Sequence, residues 1–287
     1  MINMNKQKLI DQQPFNEKIA IICGGSQGMG KAIAEEFLSL GGSVCIVARR
    51  IEILNETAKE FEELKKNDSQ FVETISCDTT DNAKLKPLFA SFINQYRVPD
   101  FLINCVGYAY PDYIQNMDFK DFKRNMEVNY YGQLIPTLIL LPYFLEEKRG
   151  HISFFSSAGA FIGLMGYAAY TPTKAAIKGL AESLRHELKP YDIKISLIYP
   201  ADTKTPGFEK ENETKPEELK IISEAGSLLT PEEVAEEFIQ GILKEKFEIF
   251  PGNTKFLWRI VRHFPKLVRW IIDRDYKKAR KKLGKEE

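Results

Sequence analysis

Short, nearly continuous apolar runs recur along the chain, separated by longer stretches with a helical period. The runs occupy residues 19–23, 44–47, 71–77, 101–105, 152–155, 193–199 and 247–250. Runs that are continuous rather than alternating predict strands covered on both faces. Residues 31–40, 51–66 and 83–95 carry the apolar spacing of helices that face a core. Strand and helix in alternation imply right-handed crossovers and a doubly wound α/β fold, a parallel sheet with helices on both faces. That domain is expected to run over 16–252, after a flexible stretch at 1–15. Residues 202–226 break the pattern with a polar, charged excursion after the sixth strand, and another helix is predicted from Pro231. An excursion of that length predicts a lid or binding loop.

Beyond residue 252 the pattern changes again. Phe256, Leu257, Ile260, Val261 and Phe264 form one helical stripe, with Arg259, Arg262 and His263 on the other side. Pro265 interrupts, and Leu267, Val268, Ile271 and Ile272 form a second stripe before a polybasic end. Residues 253–287 hold twelve Lys/Arg against four Asp/Glu, a net +8 in a chain whose overall charge is zero. Two readings stay open for this basic amphipathic tail. It lies on an anionic membrane surface, or it packs on the protein's own core or a sister subunit.

The zero overall charge supplies no field for nucleic acid, so no nucleic-acid partner is expected. Four cysteines (Cys23, Cys45, Cys77 and Cys105) lie in apolar runs without a C-x-x-C pair, as reduced thiols of a cytoplasmic protein would. With only three histidines besides, no metal site is expected. The N-terminus lacks the apolar segment of a signal peptide, and no apolar stretch reaches 18 residues. Localisation is therefore expected to be cytoplasmic, with the tail as a peripheral membrane contact.

Three clusters carry candidate chemistry. Directly after the first strand stands Gly24-Gly25-Ser26-Gln27-Gly28-Met29-Gly30. A glycine turn between strand and helix turns backbone amides toward a pyrophosphate. The second strand ends in Arg49-Arg50 with no acidic residue, which favours a ribose 2′-phosphate over a 2′-hydroxyl, hence NADPH/NADP+. Tyr170 is followed four residues later by Lys174, which puts phenol and ammonium on one helix face. A neighbouring ammonium lowers a phenol's pKa. Ser157, just past the fifth strand, and Asn129, in the long helical segment before it, complete the set.

These residues resemble the short-chain dehydrogenase/reductases, Rossmann-type enzymes, over 16–252. Asn129, Ser157, Tyr170 and Lys174 match that family's catalytic tetrad. The glycine turn matches T-G-x-x-x-G-x-G, with Cys23 in the threonine position and Gln27 where the most similar subfamily has serine. The resemblance implies that Gly24, Ser26, Gln27, Gly28, Met29 and Gly30 hold the cofactor's phosphates, and Arg49 and Arg50 its 2′-phosphate. Ile53 stands where a second basic residue often helps. Asp78 and Thr79 are assigned to the adenine, and Asn104, Val106 and Gly107 to the adenine-ribose side. Pro200, Thr203 and Thr205 would meet the nicotinamide carboxamide, with Ala201 in a usual glycine position. Tyr170 would protonate the carbonyl oxygen, Ser157 hydrogen-bond it, Lys174 hold the nicotinamide ribose and lower the tyrosine pKa, and Asn129 support a proton relay.

The 202–208 stretch resembles members of the family that reduce a long-chain sphingoid ketone. The resemblance therefore implies NADPH-dependent reduction of a lipid-like ketone, 3-ketosphinganine to sphinganine. Reduction of a 3-oxoacyl thioester or steroid, and a non-enzymatic NADP-binding membrane protein, stand as alternatives. A homo-oligomer, dimer or tetramer, is expected through the apolar helix around 134–141.

Overall fold

A computed structural model describes residues 4–223 and 228–285. Seven strands form one parallel sheet in the order β3-β2-β1-β4-β5-β6-β7. They are β1 (Ile19–Cys23), β2 (Ser43–Ala48), β3 (Val72–Ser76), β4 (Phe101–Asn104), β5 (Gly150–Phe155), β6 (Ile193–Ile198) and β7 (Glu248–Ile249). All seven coincide with the apolar runs. Helix α1 is Met4–Gln12, α2 Gly28–Ser39, α3 Ile51–Glu62, α4 Asn82–Gln95, α5 Phe119–Met126 and α6 Gly132–Glu147. Then follow α7 (Thr171–Glu187), α8 (Pro206–Thr214), α9 (Glu217–Ser223), α10 (Pro231–Leu243), α11 (Thr254–His263) and α12 (Pro265–Lys282).

The period of two along each strand feeds two cores. Ile19, Ile21, Cys23, Cys45 and Val47 face one side, where Phe89 of α4, Phe144 of α6 and Ile177 of α7 pack. Ala20, Ile22, Val44 and Ile46 face the other, against Phe37 of α2, Phe61 of α3 and Phe238 of α10. Strands apolar on both faces have no alternation to show, which is why their runs read as continuous. The sheet order reverses between β1 and β4, and open α/β sheets bind ligands at such a switch point.

Two regions differ from the sequence expectation, and the tail follows the one of its two readings in which it packs on the protein. The stretch read as flexible at 1–15 includes helix α1. The 202–226 excursion is helical, with α8 capped by the Thr205 hydroxyl, which accepts from Phe208 N at 3.1 Å; residues 224–227 lie outside the described residues. The tail is two helices docked on the domain. Trp258 of α11 extends a row of rings through Phe250 and Tyr199, with centroids 5.6 and 5.2 Å apart. Helix α12 packs on α9, and Lys285 beyond it donates to Glu218 at 2.9 Å.

Candidate active site

The β1–α2 turn is built for close approach. Gly24 has φ +84°, and a Cβ there would stand 3.1 Å from the Cys105 carbonyl carbon. A Cβ on Gly30 would stand 2.2 Å from Gly24 O, so only glycine lets α2 seat on the turn. Gln27 precedes α2 without a side-chain cap, and no acidic residue stands in the helix's first turn. Its first N–H groups are left facing the cleft, an arrangement that attracts an anion. The cradle fits the pyrophosphate of a dinucleotide.

At the carboxyl ends of β2 and β3 the charges are arranged around Arg49 and Arg50. Arg49 Nη1 lies 3.6 Å from Asp78 Oδ2, and Arg50 Nη2 donates to Gln27 Oε1. Burial disfavours the Asp78 carboxylate, but hydrogen bonds from Thr80 N and Oγ1 and the Arg49 charge outweigh it, holding the carboxyl below its ordinary range. Both guanidiniums stay exposed at the cleft end.

The β5 end and α7 carry the reactive groups. Ser157 is extended and caps the following turn, its Oγ accepting from Gly159 N at 3.0 Å. A Cβ on Gly159 would lie 3.4 Å from Ser157 Oγ and 3.5 Å from Tyr170 Cε1, so the two side chains flank one point. Lys174 is buried, its ammonium 5.6 Å from the Tyr170 ring centroid and donating to Phe155 O at 3.0 Å. Ser156 Oγ donates to Lys174 O at 2.8 Å, tying α7 to the strand end.

Burial sets the protonation of this pair, and it does so differently from the sequence expectation. Burial pushes the Tyr170 phenol well above its ordinary value; its hydrogen bond with Ser157 pulls down, while Glu211 and Asp202 push up. Burial also lowers Lys174, to about 8. The expected lowering of the phenol by Lys174 is not among these influences; the lowering comes from Ser157 and is outweighed by burial. Tyr170 rests as a protonated phenol, the form that gives a proton.

Asn129 sits in a π turn (Glu127–Tyr131) that breaks the long helical segment into α5 and α6. Such turns recur at functional sites. Its Oδ1 accepts from Tyr108 N at 2.7 Å, and its Nδ2 donates to Tyr108 O at 2.8 Å and Thr173 Oγ1 at 3.0 Å. Asn129 thereby clamps the backbone after Gly107. Its Oδ1 and Lys174 Nζ lie 3.8 and 3.6 Å from the point a Gly107 Cβ would take.

One cleft of about 580 Å³ joins these parts. Gly24, Ser26, Gln27, Gly28, Met29, Gly30, Arg49, Arg50, Asp78, Thr79, Val106, Gly107, Ser157, Tyr170, Lys174, Pro200, Thr203 and Thr205 all line it. Asn104 and Asn129 do not; both are fully buried behind its wall, Asn104 donating to Thr137 Oγ1 at 3.2 Å. Tyr108, Arg124, Asp202 and Glu211 also line the cleft, and the sequence reading did not single them out. For Arg124 no motif marks the position, and Glu211 lay in the Glu209–Asn212 stretch of the subfamily resemblance without a role of its own. Asp202 stood inside the segment that drew notice for its threonines.

The profile of the family described as short chain dehydrogenase matches residues 18–216. The chain belongs to this family. As a short-chain dehydrogenase it is an oxidoreductase acting on CH–OH and carbonyl groups. It is 38% identical over 242 residues to a 3-dehydrosphinganine reductase of Danio rerio, a match covering 83% of this chain and 73% of that one. A 3-ketodihydrosphingosine reductase of Dictyostelium discoideum is 37% identical over 246 residues, 81% of this chain and 74% of its own. Among solved structures, a 3-oxoacyl-[acyl-carrier protein] reductase from Brucella melitensis with bound NAD superposes with a TM-score of 0.69 at 25% identity. That match covers 83% of this short-chain dehydrogenase and 88% of the Brucella chain.

Proposed function

We propose that this enzyme reduces 3-ketosphinganine to sphinganine with NADPH. The observation that carries the reading is one cleft holding a protonated Tyr170 beside Ser157 and Lys174 at one end and Arg49 with Arg50 at the other. The glycine turn and the arginine pair would hold a nicotinamide dinucleotide, which when bound would supply the hydride for the carbonyl carbon. Tyr170 gives its proton to the carbonyl oxygen as negative charge develops there. Ser157 Oγ donates a hydrogen bond to the same oxygen. The Lys174 ammonium, fixed by Phe155 O, faces the ring and stabilises the phenolate left behind. Asn129 holds the Tyr108 backbone so that Gly107 stays close to Lys174.

Identity to two sphingoid-ketone reductases at the level given above supports the substrate, and the arginine pair without a carboxylate at the end of β2 supports NADPH over NADH. The test is NADPH consumption by the purified full chain, with 3-ketosphinganine and a 3-oxoacyl thioester side by side. Turnover of the sphingoid ketone, with NADPH favoured at least about tenfold over NADH, is expected. Turnover of the thioester alone would replace the reading with the second one.

The tail supports a peripheral place on the cytosolic face of an anionic membrane. Phe256, Phe264, Leu267 and Trp270 are large apolar side chains left exposed across α11 and α12, among the basic residues of the tail. Among the described residues no helix is long and apolar enough to cross a bilayer. A substrate that partitions into lipid gains from an enzyme that rests there, since each methylene drawn into water costs about 0.8 kcal/mol. Exposed Leu138 on α6, with exposed Tyr131 just before that helix, supports pairing with a second copy there.

A further inference from the structure

The segment that delivers Tyr170 is seated on the junction of α8 and α9. Gly166 turns there at φ +83°, so close to Pro216 and Leu219 that a Cβ would stand 3.1 Å from Pro216 Cγ and 3.4 Å from Leu219 Cδ2. Tyr167 follows, and its carbonyl oxygen accepts from Tyr170 N at 3.0 Å and Thr171 N at 2.9 Å, at the head of α7. The Tyr167 ring lies against that of Tyr170, with centroids 5.6 Å apart and planes inclined by 50°. Its hydroxyl donates to Glu211 Oε1 of α8. Lys215, almost wholly buried at the end of α8, pairs with the same oxygen at 3.2 Å, its ammonium 4.6 Å from the Phe208 ring centroid. Phe208 and Glu211 both line the cleft. Lys215, Glu211, Tyr167 and Tyr170 thus form one chain of contacts from α8 to the reactive phenol.

Such a chain is costly to bury. A phenol hydroxyl taken out of water needs an acceptor, and a mostly buried carboxylate needs a cation. Apolar residues at 167, 211 and 215 would pack there without those demands. Nor does Tyr167 duplicate the acid. Burial and the Glu211 carboxylate push its phenol far above the ordinary value, and its proton is engaged by Glu211. What the chain supplies is a fixed ring beside Tyr170. The phenolic oxygen of Tyr170 stands at the far end of a side chain that swings about two torsions, so its aim depends on what the ring leans on. Proton transfer needs that oxygen within about 2.6–3.2 Å of the carbonyl oxygen. An error of about 1 Å costs on the order of 10²-fold in rate.

We propose that Tyr167 is a positioning residue for the proton transfer: its hydroxyl ties it to Glu211, Lys215 secures that tie, and its ring sets the angle at which Tyr170 meets the carbonyl oxygen. The inference rests on the reading of Tyr170 as the acid and goes beyond it, to what aims the phenol. Contact of a ketone with Phe208 and Glu211 on α8 is thereby coupled to the alignment of the acid.

The experiment is single-turnover NADPH oxidation in light and heavy water, with whichever of 3-ketosphinganine and the 3-oxoacyl thioester wild type reduces. Wild type is compared with Tyr167→Phe, Glu211→Gln and the double variant Glu211→Leu with Lys215→Met. Tyr167→Phe keeps the ring and loses the tie. It is expected to react about ten- to a hundredfold more slowly, with a larger solvent isotope effect than wild type and unchanged NADPH affinity. Glu211→Gln retains an oxygen that accepts from Tyr167 and should keep most of the rate, whereas the double variant should match Tyr167→Phe. A residue that only supports the fold would lower thermal stability or raise the ketone KM without moving the solvent isotope effect. A wild-type rate in Tyr167→Phe, or a slower one with the wild-type isotope effect, overturns the positioning role. So does a double variant that behaves as wild type, which decides the question even where Tyr167→Phe fails to fold. Tyr170→Phe, run alongside, separates the two readings. A wild-type rate there overturns Tyr170 as the acid and the positioning role with it; a loss there beside an unaffected Tyr167→Phe overturns the positioning role alone. Wild type that reduces neither ketone overturns the reductase reading and the positioning role together.

Discussion

Burial decides protonation at several single residues, and it acts in opposite directions on acids and bases. Tyr170 is held protonated and Lys174 is lowered to about 8 by the same desolvation. His151 shows the effect away from the cleft. Its Nε2 meets Ser196 Oγ at 2.8 Å, its ring stacks on Phe101, and burial with help from Lys194 holds its pKa near 4. The folded protein therefore keeps the ring neutral, while the unfolded chain takes up a proton below about 6.5. Stability is full above that pH and falls as pH drops toward 4, by up to about 3 kcal/mol from this residue. The urea midpoint of wild type should fall more steeply between pH 7 and 4.5 than that of His151→Gln. Equal slopes would contradict the assignment.

Among the elements, those built by two-sided burial were legible and those defined by what they dock on were not. The strands read directly because both faces are covered. Helix α2 was marked by its glycine turn, and the tyrosine and lysine of α7 by their spacing. Helices α8 and α9 were hidden in a charged stretch, although Thr205 followed by Pro206 is a start signal of the usual kind. The tail's two stripes were visible, but their partners were not. Val268 is buried against the domain, whereas Leu267 beside it is exposed. Composition cannot separate a stripe that docks from one that faces solvent. The outward set makes a prediction: replacing Phe256, Phe264, Leu267 and Trp270 together with serine should lower cosedimentation with phosphatidylglycerol-containing vesicles at least about tenfold. NADPH affinity should stay unchanged. An undiminished bound fraction in the variant would remove the membrane role.

At the scale of the whole molecule, the parallel sheet gathers distant residues at one edge. The ends of β1, β2, β3, β4, β5 and β6 deliver the glycine turn, the arginine pair, Asp78, Val106, Ser157 and Pro200 to a single cleft. Order along the chain was enough to list most of these residues. It could not say that Asn104 and Asn129 stand behind the wall, or that Asp202 and Glu211 come forward, because each outcome depends on how loops close over the strand ends. Helix α12 in turn packs on α9, close behind the α8 residues of the cleft, so tail and site belong to one packed unit. The central claim is that the Tyr170 phenol supplies the proton in ketone reduction. It is tested most directly by single-turnover NADPH oxidation with 3-ketosphinganine in wild type and Tyr170→Phe. A loss of about 10²- to 10⁴-fold in rate, with NADPH still bound by the variant, is the expected result. Equal rates in the two proteins would contradict it.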